Sequence, residues 1–130
     1  MPAVDKLIIM VPQLPPKEYS PNARVHWAAR KRAGDNYGNE VYAEAVNARN
    51  LVNWQALEYA SVKVEVVFAE ERIRDEDNHR ARFKPGMDAL VRAGIIQFDD
   101  MQHISTRIIF AVDPERAPLT IITVTGKAAL

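Results

Sequence analysis

The chain contains no cysteine among its 130 residues, which excludes disulfide frameworks and thiolate metal sites. It also lacks an apolar run near the roughly 20 residues that a bilayer-spanning helix requires, and no basic leader with a cleavage site precedes its first strand. No glycine-rich loop that could cradle a phosphate is present, which argues against a small-molecule phosphohydrolase. These absences predict a soluble, cytoplasmic protein without a membrane partner.

Neither sign of charge is in excess, because 17 Lys and Arg residues balance 17 Asp and Glu residues. A neutral chain lacks the basic excess that is typical of nucleic-acid-binding domains. The basic residues are nevertheless concentrated in two segments, and both are candidates for contact with DNA phosphates. The first holds Arg24, Arg30, Lys31 and Arg32; the second holds Arg72, Arg74, Arg80, Arg82 and Lys84. For the first segment, a solvated helix face is nearly as good an interpretation.

Length and a hydrophobic content of 48% predict a single domain over residues 1–130. Apolar runs and alternating patterns predict four strands, at Lys6–Val11 and at residues 61–68, 106–112 and 119–125. The last two strands are predicted to form a hairpin around residues 113–116, an Asp-Pro-Glu-Arg turn.

Two helices complete the pattern. Apolar residues at helical spacing between Tyr37 and Val52 predict the first helix, which begins near Trp27 or only near residue 39. Pro85 and Gly94 bracket a second, short helix. The order β-α-β-α-β-β predicts an α/β (α+β) fold, in which a mixed sheet of about four strands carries its helices on one face.

Residues 72–104 are the most informative part of the chain because they are rich in carboxylates. Asp75 and Asp77 are predicted to lie on an extended segment with both side chains on the same side. Asp99 and Asp100 follow the short helix, which turns the chain back toward them. Carboxylate oxygens suit Mg²⁺, with Mn²⁺ as a substitute, and such a metal can activate water for attack on a phosphodiester. The alternative is a solvated turn and a simple loop.

Other polar residues of this segment have candidate supporting roles. Lys84 would stabilise negative charge that develops on a phosphate. Asn78 and Asp88 would orient the carboxylates and the lysine, although a capping Asn and a first-turn Asp explain them equally well. A calcium loop is excluded, because its sixth position is Arg80 rather than glycine and its twelfth is Gly86 rather than glutamate.

The histidines and large aromatic residues favour structural roles. His26, beside Trp27, is predicted to anchor the proline-rich loop to the core, with direct DNA contact as the minority interpretation. His79 follows the Asp-x-Asp-Asn motif and a position near the metal is its minority interpretation; it is predicted to be an exposed loop residue outside the site. His103 is predicted to be a surface residue. Trp54 and Tyr59 are predicted to pack in the core or at a dimer contact.

The spacing of these residues resembles the signature of the RusA-like Holliday-junction resolvases. The matching motifs are Asp75-x-Asp77-Asn78, Lys84-x-x-x-Asp88-Ala89-Leu90, Gly94 and Asp99-Asp100-x-x-x-Ile104, preceded by Pro15-Pro16, Ser20-Pro21-Asn22 and His26-Trp27. The resemblance implies a small homodimeric crossover junction endodeoxyribonuclease of recombination and repair, bacterial or phage-encoded and common in prophages. Such enzymes resolve four-way DNA junctions with magnesium by paired nicks.

By the same resemblance, the three essential aspartates of the family map onto Asp75, Asp77 and Asp100, and its lysine maps onto Lys84. The family places that lysine four residues after the second aspartate, where this chain has Ala81. Whether Asp99 or Asp100 binds the metal stays open. A catalytically inert DNA-binding or assembly module of the same fold is the rival interpretation, motivated by the insertion before Lys84 and the neutral net charge.

Overall fold

The four strands lie where the apolar patterns predict them. A computed structural model describes residues 4–72 and 74–127 of the chain. Its elements are β1 (Lys6–Val11), a 3-10 turn (Lys17–Tyr19), α1 (Trp27–Asn50), β2 (Ala60–Phe68), α2 (Glu76–Arg82), α3 (Lys84–Arg92), β3 (Ile104–Val112) and β4 (Leu119–Gly126). The α/β prediction with a mixed four-stranded sheet is confirmed, and α2 is a helix that the sequence patterns did not predict.

The sheet has the strand order β1-β4-β2-β3, so the predicted hairpin is wrong. A turn does form at residues 113–116, closed by a bond from the Arg116 N–H to the Asp113 carbonyl. The strands that it joins are not neighbours, because β2 lies between them. β4 pairs antiparallel with both β1 and β2. β3 instead pairs parallel with β2 at the edge of the sheet. The central place of β4 agrees with its burial, because none of its residues is exposed, whereas the edge strands β1 and β3 both have exposed residues.

One face of the sheet carries the core. The alternating residues Val62, Val64 and Val66 of β2 are completely buried and pack in one apolar cluster with residues of α1 and α3. This arrangement follows from the period of two in the strands and the apolar stripe of each helix. On the edge of the sheet, α2 packs against β3.

Two glycines in α1 explain why its start was difficult to predict. The helix begins at Trp27 and runs through Gly34 and Gly38, which are buried rather than solvated. A Cβ at Gly34 would collide with the ring of Tyr19, and one at Gly38 would lie 3.3 Å from the Pro85 carbonyl oxygen. The glycines therefore serve close packing against the proline-rich loop and α3, at a helix-propensity cost of about 1 kcal/mol each.

The end of α3 follows the prediction made from Gly94. This residue has φ of 73°, a left-handed conformation that glycine adopts without a Cβ clash. The Gly94 N–H donates to the Val91 carbonyl and the Ile95 N–H donates to the Leu90 carbonyl. This pair of bonds is a Schellman motif, and it turns the chain toward Asp99 and Asp100.

A chain of buried hydrogen bonds ties α1 to β4. The Tyr37 hydroxyl donates to Thr120 Oγ1 over 3.1 Å, and Thr120 Oγ1 donates to the Gln13 carbonyl over 2.6 Å. Burial raises the pKa of the Tyr37 phenol, so the hydroxyl stays protonated and able to donate. Thr120 is fully buried, and its hydroxyl is therefore the link on which both neighbours depend.

We expect Thr120→Val to lower the free energy of unfolding by about 1–3 kcal/mol, because it strands the buried Tyr37 hydroxyl without an acceptor. Tyr37→Phe removes only a donor and is expected to cost about 0.5–1.5 kcal/mol. Urea unfolding of both variants and of the double variant measures these costs. A double variant whose cost equals the sum of the two single costs would contradict a coupled hydrogen-bond chain.

None of the helices within residues 4–72 and 74–127 combines the length and the apolar character needed to cross a bilayer.

Candidate functional site

The first two candidate aspartates lie at the N-terminus of α2. Asp75 is the N-cap residue, and its Oδ1 accepts from the Asn78 N–H over 3.2 Å. Asp77 lies in the first turn and is exposed. The prediction that both lie on an extended segment with side chains on one side is therefore wrong, because residues two apart on a helix point in different directions.

The local sequence explains why α2 forms here. An Asp at the N-cap is among the most favourable caps, and Glu76 and Asp77 add negative charge to the first turn, where the helix dipole favours it. Basic side chains occupy the last turn, where they are favoured for the same reason. A seven-residue helix has too few residues to show a hydrophobic period, so its cap and charges were the usable signals.

Lys84 is the residue that brings distant parts of the segment together. Its Nζ lies 2.8 Å from Asp88 Oδ1 and 2.8 Å from Asp99 Oδ2. The hydrogen bond to Asp88, followed by that to Asp99, raises the pKa of Lys84. The lysine stays charged and joins the first turn of α3 to the loop that follows it.

Asp99 and Asp100 are neighbours in sequence but have different partners. The hydrogen bond from Lys84 lowers the pKa of Asp99. Asp100 Oδ1 accepts from the backbone N–H groups of Gln102 and His103 and lies 2.6 Å from His103 Nδ1. The contact with His103 is the main cause of a lowered pKa of Asp100. Both carboxyl groups are ionised near neutral pH, and they belong to separate contacts.

The alternatives for Asn78 and Asp88 are resolved by their contacts. Asn78 does not cap α2; its Nδ2 donates to Ser20 Oγ over 2.7 Å and fixes the helix to the proline-rich loop. Asp88 lies in the middle of α3 rather than in its first turn, so the interpretations as a capping Asn and a first-turn Asp are both wrong. Asp88 contacts the Lys84 ammonium, and its supporting role in a site stays a prediction.

The carboxylates supply the hard oxygen donors that Mg²⁺ prefers, but they do not form a closed group. Within the described part of the chain, no three His, Asp or Glu side chains come close enough together to hold a metal ion. Asp75 caps α2, Asp100 contacts His103, and Asp99 shares the Lys84 ammonium with Asp88. In this conformation the described residues do not fit a preformed magnesium centre.

Two cavities meet at Lys84 and Arg80. One has a volume of about 470 Å³ and is lined by Asp77, Tyr19 and the cations Arg30, Arg80 and Lys84. In the described part of the chain, the Asp77 carboxylate makes no hydrogen bond or ion pair, and it is the carboxyl group of this cavity. The other has a volume of about 530 Å³ and lies on the far side of Arg80 and Lys84. We call the first the cationic cavity and the second the apolar cavity.

Cations of the cationic cavity are held in place by the fold. The Arg30 guanidinium lies 4.2 Å from the centre of the Tyr19 ring and donates to the Glu18 carbonyl. Arg80 donates to the Thr106 carbonyl and pairs with Glu76. Cation–π contact and hydrogen bonds of this kind reduce the conformational freedom of an arginine. The cavity therefore holds its guanidinium groups in fixed positions, with Arg80 paired to Glu76 and Lys84 paired to Asp88 and Asp99.

The other candidate DNA-contacting cations have different surroundings. Lys31 pairs with Asp35 on the exposed side of α1, whereas Arg32 is exposed there and Arg24 lines a separate open cavity near the proline-rich loop. Arg72 pairs with Glu70, and Arg74 lies over the Phe68 ring. Arg82 is turned inward and donates to the Pro15 carbonyl over 2.8 Å. Arg82 therefore fixes the loop, and its guanidinium is the least available of the set.

No protein-family model matches the chain. An uncharacterized protein of Xylella fastidiosa is 34% identical to it over 120 residues, a match that covers 86% of this chain and 72% of that protein. The chain belongs to the same family as this Xylella protein. The name of that relative states no activity.

His79 was predicted to be an exposed loop residue, and this is wrong. It lies in α2 and is 5% exposed, with its ring against Phe68 and Phe110. Its Nδ1 lies 3.0 Å from the Asp75 carbonyl, and its Nε2 lies 3.2 Å from an Arg82 nitrogen. Burial lowers the pKa of His79, which keeps the ring neutral. The signal for this burial is helical: His79 occupies the face of α2 that contacts the sheet.

His103 and His26 also differ from their predictions. His103 is not a simple surface residue, because its ring stacks on Tyr59 and packs against Phe98 while its Nδ1 contacts Asp100. Tyr59 accordingly supports His103 from the rim of the core, whereas Trp54 is a core residue whose Nε1–H donates to the Ile95 carbonyl. His26 is exposed and caps α1 through Nδ1, so it does not anchor the proline-rich loop to the core.

Proposed function

We propose that the protein is a RusA-like, magnesium-dependent endodeoxyribonuclease that resolves four-way DNA junctions by paired nicks. The observation that carries the proposal is the position of Lys84. Its ammonium contacts Asp88 and Asp99 and borders the cationic cavity that contains Asp77. The three parts of the resolvase-like motif, which hold Asp77, Lys84 with Asp88, and Asp99, thus lie around one lysine. A chance match to the motif would not require these parts to lie together.

The residues of the cationic cavity suit a DNA backbone. Arg30, Arg80 and Lys84 offer positive charge to a phosphate, and phosphate contacts supply much of the affinity of DNA-binding proteins. Lys84, held by two carboxylates, is placed to stabilise negative charge that develops on the phosphate during cleavage. Among the candidate aspartates, Asp77 is the one whose carboxylate makes no hydrogen bond or ion pair within the described residues, and it is therefore free to act on the substrate.

The same proposal includes two copies of the chain acting together inside the cell. Paired nicks in a four-way junction require two active sites related by symmetry, and a closed homodimer is the simplest arrangement that supplies them. Magnesium is the cofactor of the proposed reaction and manganese its substitute. The DNA substrate and the metal cofactor are those that the motif resemblance implies, and the fixed cations that line the cationic cavity support DNA binding.

A catalytically inert DNA-binding or assembly module is the second candidate. The observation that favours it is the involvement of Asp75 and Asp100 in structural contacts, as an N-cap and as a partner of His103. An inert module would retain the cations of the site but would have no use for the unpaired carboxylate of Asp77. Cleavage separates the two candidates, because both predict junction binding.

The test is cleavage of a labelled synthetic four-way junction, compared with a linear duplex of the same sequence. Reactions contain Mg²⁺, Mn²⁺ or a chelator, and binding is measured in parallel by gel shift in the chelator. We expect paired nicks near the branch point, with either metal, on the junction alone. Tight junction binding without cleavage would favour the inert module, and absence of both would reject the proposal.

A further inference from the structure

We infer that the apolar cavity binds one unstacked nucleobase from the DNA strand whose backbone lies against Arg30, Arg80 and Lys84. This inference rests on the proposed function and adds a recognition site to it. The phosphate of that strand is assigned to the cationic cavity, and the proposed function assigns no role to the apolar floor of this second cavity.

The lining of the cavity has the chemistry of a base-binding site. Its floor is formed by Phe83, Met87 and Ile104, all of which are at least 90% buried. Met101 borders the cavity with its side chain 95% exposed. Flat aromatic rings pack well on such surfaces, because thioethers and phenyl rings attract an aromatic face or edge. The volume of about 530 Å³ lies in the usual range for small-ligand pockets.

The rim of the cavity adds groups that can bond the polar edge of a base. Ser105 and Thr106 of β3 border it, as does Asp99. An apolar floor with a few hydrogen-bonding groups at its margin is the combination by which proteins hold single, unstacked bases. Because β3 is an edge strand of the sheet, these groups lie beside an open side of the molecule.

The apolar cavity lies beside the cationic cavity, and this position favours a nucleotide as its ligand. Arg80 and Lys84 line the apolar cavity on one side and the cationic cavity on the other. A nucleotide with its phosphate between Arg30 and Lys84 can therefore place its own or the adjacent base across the Arg80–Lys84 rim. The cations favour this anionic ligand over an apolar protein segment, whose insertion would remove water from two charged groups without neutralising them.

Base insertion would also explain selectivity for branched DNA. Removing a base from a continuous duplex costs a few kcal/mol, and the cost is least for a base that is mismatched or already unpaired. Bases at a branch point stack less completely than those inside a duplex. The apolar cavity would thus favour a strand at a junction over the same sequence in linear DNA.

The experiment uses four-way junctions that carry 2-aminopurine at successive positions around the branch, bound in chelator so that no strand is cut. Emission of 2-aminopurine rises when the base leaves its stack. We expect an increase at one position for the wild-type protein and for Leu51→Ala, which deletes an 85% exposed side chain away from both cavities. Met101→Ala should weaken junction binding by about twofold to tenfold, as expected for loss of a sulfur–ring contact.

Thr106→Trp fills the cavity and should abolish the emission increase while the cations still bind the junction. Its fold is checked by thermal unfolding; if it does not fold, Met101→Ala carries the test. Binding and cleavage of junctions without an emission change at any position would overturn the inference and leave the proposed function intact. An undiminished increase in folded Thr106→Trp would also overturn it. Absence of junction binding and of cleavage would reject both.

Discussion

Asp77→Asn is expected to reduce metal-dependent junction cleavage by at least about a hundredfold while leaving junction binding in place. The lower limit is the one expected for loss of a group that takes part in proton transfer at the reacting centre, which contributes about 10²–10⁴-fold. The amide keeps the size of the side chain but lacks the negative charge. Of the candidate aspartates, Asp77 is the one whose substitution disturbs the fewest contacts, because its carboxylate makes no hydrogen bond or ion pair in the described part of the chain.

Fold and binding provide the internal controls for this variant. Loss of one negative charge from the first turn of α2 should cost only about 0.3–1 kcal/mol of stability. Junction affinity should stay equal or increase slightly, because the three cations of the cationic cavity then face one anion fewer. Glu71→Gln removes an exposed carboxylate from the same segment and should cleave normally. Loss of binding together with cleavage, in a folded Asp77→Asn protein, would contradict the proposed role.

Lys84→Met is expected to slow cleavage at saturating protein by about 10²–10³-fold, the usual effect of removing one group that stabilises transition-state charge. Its effect on stability should be small. The ion pairs of Lys84 with Asp88 and Asp99 involve side chains that are 36–56% exposed, and exposed pairs contribute at most about 1 kcal/mol each. Single-turnover cleavage and thermal unfolding measure the two effects separately.

Two further variants serve as controls for Lys84→Met. Lys63→Met removes an exposed cation from the opposite face of the sheet and should change neither rate nor affinity by a measurable amount. Lys84→Arg retains the charge but replaces a compact ammonium with a planar fork, so it should restore binding more completely than rate. A Lys84→Met protein that binds more weakly but cleaves normally at saturation would show that Lys84 only contacts a phosphate.

Much of the fold could be predicted because short-range patterns determine it. The alternation of valines in residues 62–66 requires a strand with one buried face, and the observed β2 buries that face completely. Gly94 marks the end of α3 because its left-handed backbone is accessible to glycine at no steric cost. The four-residue spacing of Lys84 and Asp88 places both on one helix face, and their ion pair follows directly.

Other features depend on residues that are remote in sequence. The partner of β4 is β2 rather than β3, because the most buried strand takes a central place, and local turn chemistry does not carry that information. His79 is buried because Phe68 and Phe110 of two strands meet it, whereas the adjacent Asp-Glu-Asp-Asn run has the composition of a solvated turn. A short helix gives no period that would reveal such a buried face.

The sequence by itself determined the four strands, the two longer helices and the residue types of the candidate site, because strand alternation, helix ends and carboxylate spacing are local properties. Tertiary structure alone decided which carboxylates are engaged and which is free. The two neighbouring aspartates have different partners in the folded chain, because Asp99 pairs with Lys84 of α3 and Asp100 contacts His103. Tertiary structure also created the two cavities on either side of Lys84 and Arg80, since a cavity is formed by distant segments that pack against one another and leave space between them.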